Sequence, residues 1–129
     1  MSVSRLLGAL DLPGTESSVP RGRAWLRARL GDDHPALDDV LLLASELLTN
    51  AVRHSDSRHG GTVTLVAAAP PGVVHVVVID AGSARPPRMG AGEDDGEGGR
   101  GLFLVEQLAG SWGIYDDSAG RAVWFEIKY

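Results

Sequence analysis

The sequence predicts an α+β fold, a two-layer α/β sandwich. A mixed, mostly antiparallel sheet of about five strands carries about three helices on one face. Three observations lead there. A long apolar stripe of helical period occupies the middle of the first half of the chain, two β-branched runs flank Pro70-Pro71-Gly72, and two strand-like runs close the sequence.

In chain order, residues 4–12 read as a strand closed by Pro13-Gly14. Ser17 or Ser18 can cap a helix over about 19–30. Val19, Leu26 and Leu30, with Trp25 beside them, form its apolar side, and Arg21, Arg23, Arg27 and Arg29 its more solvated sides. Asp32 or Asp33, with Pro35, opens a second helix over about 35–54. There Leu37, Val40, Leu41, Ala44, Leu47, Leu48 and Ala51 recur every three or four residues, the spacing of one helix face. Residues 62–69 and 73–80 are β-branched runs and read as a hairpin. A polar, glycine-rich segment over 81–101 is too long for an ordinary connection, so it is either a mobile functional loop or disordered. A short helix over 102–109 follows, then a strand pair over 111–116 and 122–128 that turns at Ser118-Ala119-Gly120.

The bulk properties narrow the function. The chain has 129 residues, which fits a single domain over 1–129, and a chain of this size can bury roughly two thirds of its unfolded surface. There is no cysteine, so disulfides and thiolate metal sites are excluded and a reducing, cytoplasmic setting is expected. No apolar run reaches the roughly 18 residues that span a bilayer, and the first twelve residues lack a signal-peptide layout. The net charge of −5 argues against nonspecific binding to a nucleic-acid backbone. It leaves room for ATP, because local amides and one metal ion can hold phosphate on an acidic protein.

Three motifs carry chemistry. Glu46 and Asn50 stand four apart in the second helix and so project from one face, which is not the leucine-rich one. Asparagine is mildly unfavourable inside a helix. Its carbonyl oxygen suits Mg²⁺, which prefers oxygen ligands and keeps waters while bridging phosphates. A carboxylate one turn away can activate a hydroxyl for attack on a γ-phosphate. Asp80 ends an apolar strand just before Ala81-Gly82. When ionised it only accepts hydrogen bonds, which suits the exocyclic amine of adenine, and Gly82 permits close approach of the base. Finally, Gly96-Glu97-Gly98-Gly99-Arg100-Gly101-Leu102 leads into a helix start, where free amides and the helix dipole favour phosphate and glycines allow a hinge.

Each motif alone has an ordinary reading. The first also describes a solvated polar face, the second an aspartate turn, and the third a flexible linker. Glu93, Asp94, Asp95 and Glu97 would repel phosphate unless they point outward. The glycines do not follow a strand directly, so this is not a dinucleotide-binding fingerprint.

Taken in order, Glu-x-x-x-Asn on a helix, Asp-x-Gly at a strand end and a Gly-x-Gly-Leu hinge resemble the GHKL ATPase superfamily of gyrase, histidine kinases and the MutL repair proteins. Within it, the sequence is most similar to the stand-alone anti-sigma-factor/serine-threonine kinase group common in actinobacteria. Ser45-Glu46-Leu47-Leu48-Thr49-Asn50-Ala51-Val52-Arg53-His54 looks like that group's N-box, and Gly98-Gly99-Arg100-Gly101-Leu102-Phe103-Leu104-Val105 like its lid hinge. Trp112-Gly113 and Gly120-Arg121-Ala122-Val123-Trp124-Phe125-Glu126 also fit.

The resemblance implies that Glu46 is the catalytic base, that Asn50 ligates Mg²⁺ and that Asp80 reads adenine with Gly82 beside it. Arg53, Gly98, Gly99, Arg100, Gly101 and Leu102 fall in the nucleotide-binding set, with an ATP lid over about 83–100. The implied partners are an anti-sigma antagonist, phosphorylated on serine or threonine, a sigma factor, and a second copy in a homodimer. Neither nucleic acid nor membrane is expected as a partner. Two positions depart from the superfamily: Ala84 stands where a second glycine is common, and Ala122 where a threonine hydroxyl helps to hold the adenine site.

Three readings follow. One is a protein serine/threonine kinase, favoured by Glu46 together with Asn50. Another is an ATP-loaded module that sequesters a partner without phosphoryl transfer, and the third a fold relative that no longer binds ATP. No histidine-bearing helix pair precedes the domain, so a sensor histidine kinase is disfavoured, and His34 and His54 are expected to be structural.

Overall fold

The computed structural model describes residues 6–54, 61–81, 105, 107–117 and 120–129. The elements are β1 (Leu6–Pro13), α1 (Ser18–Leu30), α2 (Leu37–His54), β2 (Thr62–Ala68), β3 (Val73–Asp80), β4 (Ser111–Asp117) and β5 (Gly120–Lys128). Val105, Gln107 and Leu108 are also helical, and the Ala109 N–H donates to the Val105 carbonyl at 2.9 Å. The remainder of the short helix expected over 102–109 lies outside the described residues.

The sheet has five strands in the order β1-β2-β3-β5-β4. Every neighbouring pair is antiparallel, which resolves the mixed character expected from the sequence. Connectivity explains this. β1 is followed by two helices, so the chain runs away from its end and returns before β2 begins, and the two strands come out antiparallel. The β2–β3 and β4–β5 pairs are hairpins. β4 runs in the same sense as β3, but β5 lies between them. The result is one end of the sheet where β1, β3 and β4 finish and β2 and β5 start.

Period-two alternation assigns the two sheet faces. Val63, Leu65 and Ala67 of β2, Val74, Val76 and Val78 of β3, and Val123, Phe125 and Ile127 of β5 are buried. They meet a helix stripe made of Leu37, Val40, Leu41, Ala44, Leu47, Leu48 and Ala51, all buried. Leu43, Val52 and Val105 join the same cluster. The other face bears no helix among the described residues. There His75, Val77 and Trp124 are half-buried and Ile79 is exposed.

α1 lies over the β1 side of the sheet and α2 over its centre. The two helices approach closely at Gly22, where an added Cβ would stand 2.6 Å from Leu48 Cδ1 and 3.3 Å from Leu65 Cδ2. The helix starts differ from expectation in detail. Ser17 makes no side-chain cap bond, and Ser18, fully buried in the first turn, donates its hydroxyl to the Pro13 carbonyl. α2 begins after a turn in which His34 Nδ1 accepts the Ala36 N–H at 3.0 Å, a role the sequence assigned to Asp32 or Asp33. Arg23 is half-buried rather than solvated. Its Nη1 donates to Ser45 Oγ at 2.6 Å and Leu41 O at 3.3 Å, fixing the side of α2 that faces α1.

Candidate functional site

Glu46, Asn50 and Arg53 are half-buried on one flank of α2, bordering the buried Leu43 and Leu47. Ser45 is held by Arg23 of α1. At 100° per residue, Asn50 therefore lies well round the helix from the α1 contact, turned toward the β5–β4 half of the sheet.

Position along the helix follows from Arg53. Its Nε donates to Glu16 Oε2 at 3.1 Å, and Glu16 lies two residues beyond Gly14, whose N–H donates to the Gly61 carbonyl at 3.0 Å. Pro13 pairs with Thr62 and Thr64 with Ile79. The C-terminal turns of α2 thus sit at the sheet end where β3 finishes in Asp80.

Asp80 is in phase with Val74, Val76 and Val78, so its side chain belongs to the helix-covered face, and it is buried at 8% exposure. Gly120 makes this strand end tight. Its φ is +151°, and a Cβ there would collide with the Asp80 carbonyl oxygen. Asn50 and Asp80 therefore share one face and one end of the sheet. Of the other residues singled out in the sequence, Gly82, Gly98, Gly99, Arg100, Gly101 and Leu102 lie outside the described residues, as do Ala84 and the segment about 83–100.

One expectation is corrected here. Ala122 pairs with Ile79, which is 40% exposed, so position 122 points to the open face. A hydroxyl at that position would be on the wrong side of the sheet from the Asp80 carboxylate. The residue directly across from Asp80 is Arg121, also buried at 8% exposure, and its Nε donates to Asp116 Oδ1 of β4 at 2.8 Å. The sequence held a signal for it: Arg121 is in phase with Val123, Phe125 and Ile127, the inward positions of β5.

Among the described residues no three His, Asp or Glu side chains gather to bind an ion. A single amide oxygen at Asn50 suits a metal whose remaining ligands are phosphate oxygens and water. Among the described residues, no helix is long and apolar enough to cross a membrane.

A sequence profile described as the histidine kinase-like ATPase domain matches residues 15–127. No curated protein sequence matches. Solved structures do. The RsbU and RsbW domains of Rv1364c from Mycobacterium tuberculosis align with a TM-score of 0.67 at 25% identity, over 94% of this chain and 32% of that one. A blue-light activated histidine kinase from Erythrobacter litoralis aligns with a TM-score of 0.59 at 22% identity, over 88% of this chain and 41% of that one. Its separate histidine kinase domain gives a TM-score of 0.57 at 22% identity, over 91% and 61%. At that identity the two Erythrobacter likenesses carry the fold alone. The chain spans about a third of the Mycobacterium chain, with which it shares an arrangement of strands and helices. By its matched sequence and its fold, the chain belongs to the histidine kinase-like ATPase domain family of the GHKL superfamily.

Proposed function

We propose that this domain binds Mg-ATP at the sheet end described above and transfers the γ-phosphoryl group to a serine or threonine of an anti-sigma-factor antagonist, binding a sigma factor as its other partner. The observation that carries this reading is the placement of the Glu46–Asn50 flank at the sheet end and on the face that hold Asp80. The likeness to a structure containing an RsbW domain supports the choice of partners.

In this reading Asp80 accepts from the adenine amine, Asn50 offers its carbonyl oxygen to Mg²⁺, and Arg53 lies near the phosphates. The segment about 83–100 is the lid, with Gly98 to Leu102 against phosphate. Glu46 takes the proton of the incoming hydroxyl. That oxygen bonds to the γ-phosphorus as the bond to the β–γ bridging oxygen breaks, and ADP leaves. Mg²⁺ supplies charge neutralisation of the phosphate oxygens.

A second reading is an ATP-loaded module that sequesters its partner without transfer. Both readings use the same nucleotide site and differ only in whether phosphoryl transfer follows binding. Glu46→Ala separates the two. Calorimetry should find Mg-ATP binding retained and partner phosphorylation lost by at least about a hundredfold, the range of a general base. Undiminished phosphorylation would reject Glu46 as the base. Absence of any Mg-ATP binding by the unaltered protein would reject both readings; when bound, Mg-ATP at 100 times its dissociation constant should stabilise the fold by about 2.7 kcal/mol.

A further inference from the structure

Among the described residues only two charged side chains are buried, Asp80 and Arg121, each 8% exposed. They are direct partners across β3 and β5. Direct partners in an antiparallel ladder share a face with Cβ atoms about 5 Å apart, so a carboxylate and a guanidinium stand side by side under the helix layer. Arg121 is held from its other side too, because its partner on β4 is Asp116, which accepts Nε at 2.8 Å. That bond fixes one edge of a rigid planar group and leaves the Nη donors for its remaining neighbours.

A purely structural purpose explains this poorly. A buried ion pair is weak as a source of stability, and apolar residues of similar volume often serve as well. Here the arginine continues an inward row of Val123, Phe125 and Ile127, where another apolar residue would extend the core. It stands instead beside the carboxylate assigned to the base.

We propose that Arg121, anchored by Asp116, is a positioning residue of the nucleotide site that orients the Asp80 carboxylate, so that it selects a 6-amino over a 6-oxo purine. An ionised, oriented carboxylate accepts from an exocyclic amine and faces the lone pairs of a keto oxygen unfavourably. This inference rests on the reading of Asp80 as the base acceptor.

The test is calorimetric titration of the unaltered protein, Arg121→Lys, Arg121→Ala and Asp116→Ala with Mg-ATP and with Mg-ITP. The unaltered protein should prefer ATP. Arg121→Ala should lose about tenfold in ATP affinity, the value of one charge-assisted hydrogen bond, and most of its preference over ITP. Arg121→Lys should retain part of the preference. Asp116 is half exposed, so Asp116→Ala should fold whatever becomes of Arg121→Ala, and it should show a smaller fall in the same ratio. A purely structural arginine would lower both affinities together, so an unchanged ATP/ITP ratio in the folded variants overturns the proposal. Failure of the unaltered protein to distinguish ATP from ITP overturns the assignment of Asp80 as well.

Discussion

Arg53 of α2 and Glu16, 37 residues earlier, are joined by a hydrogen-bonded ion pair at 3.1 Å. The pair ties the last turn of α2 to the bend between β1 and α1, at the sheet end that carries Asp80. Its side chains remain 37% and 70% exposed, and exposed pairs contribute little to stability. Glu16→Gln should therefore change the urea unfolding free energy by less than about 1 kcal/mol and leave Mg-ATP affinity undiminished. Arg53→Ala should lower that affinity about tenfold, as expected for a lost charged contact to phosphate. Equal affinities for the two variants, measured by calorimetry, would remove Arg53 from the nucleotide site.

Asn50 offers a cleaner separation of binding from folding. It is half-buried on the flank of α2, and alanine is the better helix former there by roughly 0.5 kcal/mol. Asn50→Ala should thus be as stable as the unaltered protein, or slightly more so. Its ATP affinity should become nearly independent of Mg²⁺. Titrations with ATP in magnesium and in EDTA check this, and a full magnesium response in the variant would exclude Asn50 as the ligand.

How much of this arrangement the sequence announced depends on whether a pattern was local. The α2 stripe was legible because Leu37 to Ala51 repeat at helical spacing, and every residue of that stripe is buried. The strand end at Asp80 was legible from the apolar run before it. Cross-strand register was not, because it depends on pairings between distant segments. Reading Ala122 as part of the adenine site followed a motif position without its side of the sheet. Registering Asp80 against Arg121 reverses that side by a single residue, since neighbours along a strand face opposite ways. His34 was likewise missed as a backbone acceptor because its bond to the Ala36 N–H depends on the shape of the turn.

Gly22 tests the close packing of α1 on α2. A methyl group there would meet the Leu48 and Leu65 side chains, both fully buried. Helix propensity pulls the other way, favouring alanine over glycine by about 1 kcal/mol, while overpacking costs about 1–3 kcal/mol. The steric effect should win, and Gly22→Ala should be destabilised by about 1 kcal/mol net in urea unfolding. A stabilised variant would mean that Leu48 can rotate away and that the helix contact is looser than the distances imply.

On the open face, Glu126 carries a pH dependence with a defined sign. As a carboxylate it can only accept, so His75 Nδ1 is the donor in their 2.9 Å bond, and Ser111 Oγ donates to its other oxygen at 3.0 Å. These bonds, the one from His75 foremost, hold the Glu126 carboxyl below its usual range. A folded-state value below the unfolded one means that the folded protein releases this proton more readily. The stabilisation is therefore complete above the unfolded carboxylate range and disappears as the pH falls through the folded value. With both side chains 34% exposed, solvent screening limits the effect to less than about 1 kcal/mol. Glu126→Gln should consequently unfold at lower urea than the unaltered protein at neutral pH, and the gap should close on acidification below the carboxylate range. A gap that persisted unchanged into acid would show that packing of the Glu126 stem along the sheet, rather than its charge, sustains this corner of the fold.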